Sequence, residues 1–273
     1  MAAGPIAMFD SGFGGLTVAR AVLDLLPNED LVYLGDTARY PYGPRPLAEV
    51  AEFAVEIADH LVEQFHAKVL VVACNTAAAA ALEQLEQRYD IPVLGVIEPG
   101  ARAVISASNN GKVGVLGTLG TIQSGSYQRL FAAEVPEVEL CALACPGFVE
   151  FVERGEFDSE QVHVLAERLL APALAAGVDS VLLGCTHYPY LARTIADVMG
   201  REVVLVSSAE ETAFEVKHLL EESGLGSTER AQGPQFLTTG DPDRFQQLGS
   251  MLLGPELAEA QQIHFGSEPR FGH

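Results

Sequence analysis

Two cysteines stand in matched settings of this chain, and those settings suit proton transfer. Cys74 closes the apolar run VLVVAC and is followed by Asn75-Thr76. Cys185 closes a second run, SVLLGC, and is followed by Thr186-His187. A turn rich in glycine and hydroxyls precedes each. Ser11, in Asp10-Ser11-Gly12-Phe13-Gly14-Gly15, lies 63 residues before Cys74. Thr118, in Gly117-Thr118-Leu119-Gly120-Thr121, lies 67 residues before Cys185. A single strand-end cysteine reads as an inert buried thiol. Two in register read as one thiol for each face of a shared ligand. Inverting a carbon centre by proton transfer needs a base on one face and a conjugate acid on the other. A thiolate and a thiol that exchange roles meet that need. Free cysteine titrates near 8.5, and a following helix N-terminus is expected to favour the thiolate.

Carbanion formation beside a carboxylate also needs hydrogen-bond donors where charge develops. The turn at 10–15 and Pro41-Tyr42-Gly43 offer backbone N–H groups. Asp10 has two open roles: holding a substrate ammonium, or assisting proton transfer at Cys74. Simpler readings stand beside these. The glycine turn serves equally as a tight strand-to-helix connection. His187 can cap or fill a helix start, and Asp36-Thr37 can be an N-cap. Glu150 and Glu153 can be solvated helix positions. The lysines are Lys68, Lys112 and Lys217. None has a setting suggestive of a pyridoxal phosphate Schiff base, so no cofactor is expected. Cys141 and Cys145 have no histidine near them in the sequence, so no metal site is expected.

The elements that must position these residues follow an α/β pattern. Apolar runs at 6–9, 69–73, 113–116, 180–183 and 203–206 read as strands, the last four buried on both faces as in a parallel sheet. Helical segments are expected at 15–26, 47–65, 76–88, 122–133, 159–175 and 191–198, with Pro172 kinking or ending the fifth. Ligands of such sheets bind beyond the carboxyl ends of the strands. The repeated order of turn and cysteine implies two similar doubly wound parallel-sheet domains related by a pseudo-twofold axis, with the active site in the cleft between them. The first is expected to span 1–98 and to regain 208–273, through a helix at 209–220 and a strand at 235–239. The second spans 99–207, with the boundary near Glu98–Gly100.

Composition narrows the partners. The 273 residues are 48% hydrophobic, and 16 basic against 37 acidic residues give a net charge of −21. Such a surface repels phosphate backbones and anionic lipid, so neither nucleic acid nor membrane is expected as a partner. No apolar stretch is long enough to span a bilayer. The N-terminus has no basic segment followed by an apolar one, so no signal peptide is expected. The cysteines are then expected to be reduced thiols in a cytoplasmic protein.

Taken together, FDSGFGGLTVAR (9–20), YLGDTARYPYGPR (33–45), VVACNTAAAAAL (71–82), VGVLGTLGTIQSGSY (113–127), LLGCTHYP (182–189) and TGDPDRF (239–245) resemble the glutamate racemase family of the aspartate/glutamate racemase superfamily. The resemblance implies that Cys74 takes the proton from D-glutamate and Cys185 from L-glutamate. Asp10 and His187 would assist them, with Glu153 near the second cysteine. Asp10, Ser11, Pro41, Tyr42, Gly43, Asn75, Thr76, Thr118, Thr121, Thr186 and His187 would bind the substrate. It further implies D-glutamate made for peptidoglycan without a cofactor, in a protein that is commonly dimeric. Tyr40, Glu150 and Ser207 depart from residues usual in the family, and none is a proton-transfer position. No N-terminal extension of the kind tied to activation by a cell-wall precursor is present, so no such activation is expected. Two other readings stay open. One is an aspartate racemase, maleate isomerase or decarboxylase of the same fold, against which Asp10-Ser11 and His187 favour glutamate. The other is a non-catalytic inhibitor of a DNA-processing enzyme, with the acidity mimicking nucleic acid. The intact cysteine pair speaks against it.

Overall fold

The computed structural model of the chain describes residues 4–265. In chain order the first elements are β1 (Ile6–Asp10), α1 (Leu16–Leu25), β2 (Leu31–Gly35), α2 (Leu47–Phe65), β3 (Val69–Val72), α3 (Asn75–Arg88), β4 (Val93–Gly95) and α4 (Ile97–Ala107). Then come β5 (Lys112–Gly117), α5 (Leu119–Gln123), α6 (Ser126–Glu134), β6 (Glu139–Ala144), α7 (Phe148–Glu153), α8 (Glu160–Ala176), β7 (Ser180–Gly184), α9 (Ala192–Met199) and β8 (Val204–Ser207). The chain ends its described course with α10 (Ala209–Ser223), β9 (Gln235–Thr238), α11 (Pro242–Leu253) and β10 (Gln261–Gln262).

These strands form two parallel sheets. One has six strands in the order β10-β9-β2-β1-β3-β4, and the other four in the order β6-β5-β7-β8. β1, β2, β3, β5 and β7 are short runs of apolar residues buried nearly throughout, as strands covered by helices on both faces must be. The helices bury one stripe each. In α2, Val50, Ala54, Ile57, Ala58 and Leu61 recur at helical spacing and are buried. In α3 the small residues Ala77, Ala78 and Ala81 let the helix lie close to its neighbours.

Several expected elements change. The run 122–133 is two helices, because Gly125 takes a left-handed φ of 72° that an ordinary residue avoids. Pro172 does not end α8, which continues to Ala176. Its ring is on the solvent-exposed face, where water can satisfy the carbonyl that loses its partner. The expected boundary near Glu98–Gly100 falls within the first turns of α4. α4 packs on β7, β8 and α10. β2, β6 and the two-residue β10 are strands that the sequence reading did not name. β2 is a buried five-residue run, whereas β6 lies at a sheet edge and is only half buried, which blurs its apolar pattern. β9 pairs in parallel with β2, so the tail joins the six-stranded sheet.

Candidate active site

Parallel strands send their carboxyl ends to one side, and here the ends of the two sheets meet. β1 delivers Asp10, β3 leads to Cys74, β5 to Thr118 and β7 to Cys185. Between them is a small cavity of about 20 Å³. Both cysteines line it. So do Ser11, Pro41, Tyr42, Gly43, Asn75, Thr76, Thr118, Thr186 and His187. The remaining expected site residues, Asp10, Thr121 and Glu153, stand one layer behind that lining. Tyr40 and Val149 line the cavity as well, although the sequence reading gave neither a binding role. The lining contains no lysine or arginine, so an anionic ligand there must be held by neutral donors and by His187.

The two sides of the cavity are hydrogen-bonded to each other. Thr186 Oγ1 donates to Asp10 Oδ2 at 3.0 Å. Thr76 Oγ1 lies 2.9 Å from Thr118 Oγ1 and 3.3 Å from Thr121 Oγ1. The Gly120 N–H donates to the Gly43 carbonyl at 2.9 Å. Asn75 Nδ2 donates to the Tyr127 hydroxyl at 3.0 Å, a partner that the sequence gave no signal for. Gly14 marks the closest approach. A Cβ there would sit 2.3 Å from Thr186 Oγ1 and 2.6 Å from His187 Nδ1, so only glycine fits.

Each thiol has its own surroundings. The Cys74 thiol donates to Ser11 Oγ at 3.8 Å, and Cys74 occupies the N-cap position of α3 without a side-chain capping bond. Burial nonetheless pushes its pKa up to about 12, with the nearby Asp10 charge acting in the same direction. The helix start, expected to favour the thiolate, is outweighed by desolvation. Asp10 itself is pushed up by burial, against the lowering effects of His187 and of its bonds from the Gly12 N–H (2.7 Å) and Thr186. Cys185 does not lead directly into an α-helix. A 3-10 turn, Tyr188–Leu191, intervenes before α9. Its sulfur lies 3.8 Å from His187 Nδ1, and His187 Nε2 lies 2.8 Å from Glu153 Oε1. Burial lowers the imidazole pKa, but Cys185 and Glu153 overcome this and hold it well above its usual range. His187 is therefore no simple cap; it links the cysteine to a carboxylate. Glu150 is exposed, in keeping with the simpler reading, whereas Glu153 is engaged with His187.

Asp36 is also more than an N-cap. It is fully buried, accepts from Arg39 Nε and Thr239 Oγ1 at 2.7 Å each, and accepts from the Tyr42 hydroxyl. Among the described residues, no group of three or more His, Cys, Asp or Glu side chains could hold a metal ion, and no helix is long and apolar enough to cross a membrane.

The sequence profile of the Asp/Glu/Hydantoin racemase family matches residues 16–213. The chain belongs to this family. A relative from Corynebacterium diphtheriae named glutamate racemase is 51% identical over 260 residues, 95% of this chain and 97% of its own. A glutamate racemase from Mycobacterium leprae is 49% identical over 270 residues, 97% of this chain and 98% of its own. Among solved structures, glutamate racemase isoform RacE1 from Bacillus anthracis superposes with a TM-score of 0.91 at 40% identity, covering 97% of this chain and 98% of that one. A glutamate racemase from Francisella tularensis in complex with D-glutamate superposes with a TM-score of 0.89 at 32% identity, over 97% and 98% of the two chains. The family's two-sheet α/β fold is the one described above.

Proposed function

We propose that this chain interconverts L- and D-glutamate without a cofactor, by a two-base mechanism at Cys74 and Cys185. The observation that carries the reading is that these thiols, each at the end of a strand of a different sheet, line one cavity. A thiolate on one side removes the α-proton. The electron pair is left on the α-carbon beside the carboxylate, and the thiol on the other side returns a proton to the opposite face. Cys74 acts on D-glutamate and Cys185 on L-glutamate.

The surroundings serve these steps. A protonated His187 donates to a Cys185 thiolate, and Glu153 holds the imidazole in place. At Cys74, the Asp10 charge opposes a thiolate. Burial favours the protonated form of Asp10, which removes that opposition. A bound substrate ammonium adds positive charge beside the thiol and favours its ionisation. Ser11, Pro41, Tyr42, Gly43, Asn75, Thr76, Thr118, Thr121 and Thr186 hold the substrate or the loops that surround it.

The wider setting belongs to the same proposal. The chain works as a homodimer in a bacterial cytoplasm, supplies D-glutamate for peptidoglycan, and folds as two units, 1–98 with 208–273, and 99–207. Strands from 6–95 and 235–262 in one sheet, and from 112–207 in the other, support that division. Light scattering tests the dimer.

The function is tested with purified protein and glutamate in D2O, with no cofactor added. Solvent deuterium should enter the α-position and the optical rotation should decay, while aspartate stays unchanged. Cys74→Ala and Cys185→Ala should each lower racemisation by about 10²–10⁴-fold or more, the usual contribution of a positioned acid or base. An inert parent, or either variant racemising normally, refutes the mechanism.

A further inference from the structure

We infer that Asp36 is a positioning residue for substrate binding, acting through the loop that carries Tyr42 and Gly43 and tying that loop to Thr239 of the C-terminal segment. The inference rests on the proposed racemase reading and goes beyond it.

Asp36 follows β2 and is 0% exposed. It does not line the cavity. Its two oxygens are divided between two sources. Oδ2 accepts from Arg39 Nε and from the Tyr42 hydroxyl, both within its own loop. Oδ1 accepts from Thr239 Oγ1, which lies 203 residues further along the chain. Burial, with Asp36 itself, holds the Tyr42 phenol well above its ordinary pKa, so this hydroxyl stays protonated and donates. Tyr42 is only 1% exposed, and no other polar group is recorded against its hydroxyl.

The loop is fixed at its far end as well. The Gly43 carbonyl accepts from the Gly120 N–H, and a Cβ at Gly43 would sit 2.8 Å from Thr118 Cβ. Pro41, Tyr42 and Gly43 therefore reach the cavity from a loop held by Asp36 on one side and by the four-stranded side of the protein on the other. Thr239 is anchored in its turn. It accepts from the Ala38 N–H at 3.0 Å, and the neighbouring Thr238 and Gly240 bond to Thr37. The tail thus sets the place of Asp36, and Asp36 sets the place of the donors that meet the substrate.

The substrate carboxylate is already fully charged before the proton leaves, so donors on such a loop act mainly on ground-state binding and add a smaller part as further charge develops. Displacing the loop should therefore raise KM and leave kcat nearly unchanged. Asp36→Asn replaces one acceptor oxygen with an NH2 group that donates and cannot accept, and Thr239→Val removes the donor to Oδ1. Each should raise KM for D-glutamate about ten- to hundredfold, with kcat within threefold, as expected for loss of hydrogen bonds to a charged group. Thr239→Ser keeps the hydroxyl and should restore KM to within threefold of the parent. A purely structural role would lower the melting temperature and leave KM where it was. Unchanged KM in Asp36→Asn and Thr239→Val overturns the inference, as does a loss confined to kcat or a Thr239→Ser variant as impaired as Thr239→Val. Parent activity is measured first. An inactive parent refutes the racemase reading and this inference together, whereas an active parent with unaltered variants refutes this inference alone.

Discussion

Adding one methyl group at Gly14 should open the active site. The Gly14 backbone has an ordinary φ, so alanine introduces no conformational strain there. The new Cβ would lie 2.3 Å from Thr186 Oγ1 and 2.8 Å from His187 Cε1. Non-bonded heavy atoms settle at about 3.5 Å, so Thr186 and His187 must retreat by about 1 Å. Neither can move alone. His187 is held by Glu153 at 2.8 Å, and Thr186 is held by Asp10 at 3.0 Å. The retreat therefore lengthens the Thr186–Asp10 bond past hydrogen-bonding range and shifts the Cys185 side relative to Cys74. A misplacement of about 1 Å can cost about 10²-fold in rate. Overpacking of this kind costs about 1–3 kcal/mol of stability, or roughly 3–10 °C in Tm. The assay is racemisation of each enantiomer by circular dichroism, together with thermal melting. Because the two enantiomers have equal free energy, kcat/KM must fall equally in both directions. A Gly14→Ala protein that keeps kcat/KM within about threefold of the parent would falsify the claim that contact at Gly14 sets the distance between the two halves of the site.

Three further outcomes follow from the charges. Asp10→Asn should cut activity strongly yet melt at or above the parent temperature at pH 7. Burial raises the folded pKa of Asp10, so its ionised form costs stability as pH rises from the unfolded value near 3.9 through the folded one, and asparagine avoids that cost; a lower melting temperature at pH 7 would contradict this. Glu153→Gln should move the alkaline limb of the kcat/KM profile to lower pH, because His187 loses a partner that holds its proton. The stability added by the raised His187 pKa is complete below about 6.5 and is lost as pH rises through the folded value. The variant should accordingly fall furthest behind the parent in acid, and a pH-independent gap in melting temperature would count against the pairing. Lys68→Met removes one partner of a buried pair, Lys68–Glu29 at 2.5 Å, with side chains 4% and 5% exposed. It should cost about 3–5 kcal/mol, because the remaining carboxylate is left unpaired. Urea unfolding measures this, and a loss under 1 kcal/mol would show that Glu29 finds another partner.

The sequence by itself determined much of this protein. The VLVVA and SVLLG runs declared buried parallel strands, because only strands covered on both faces carry such unbroken apolar composition. Their matched cysteines and hydroxyl turns pointed to the candidate site, because strand ends in parallel sheets converge on one side. The resemblance then supplied glutamate. What the sequence left open were properties of environment. Asp36 read as a cap because its partner Thr239 is 203 residues away, and no local pattern announces such a bond. β6 was missed because an edge strand is only half buried and its alternation is weak. The Cys74 thiol was expected to be favoured as a thiolate by the helix that follows it. Only the packed structure decided that desolvation outweighs the helix start, since burial is set by the residues that close over the sulfur from other parts of the chain. The same holds for His187, whose neighbour Cys185 is visible in the sequence, while its ion-pair partner Glu153 reaches it only through the packing of α7 against the 3-10 turn after Cys185.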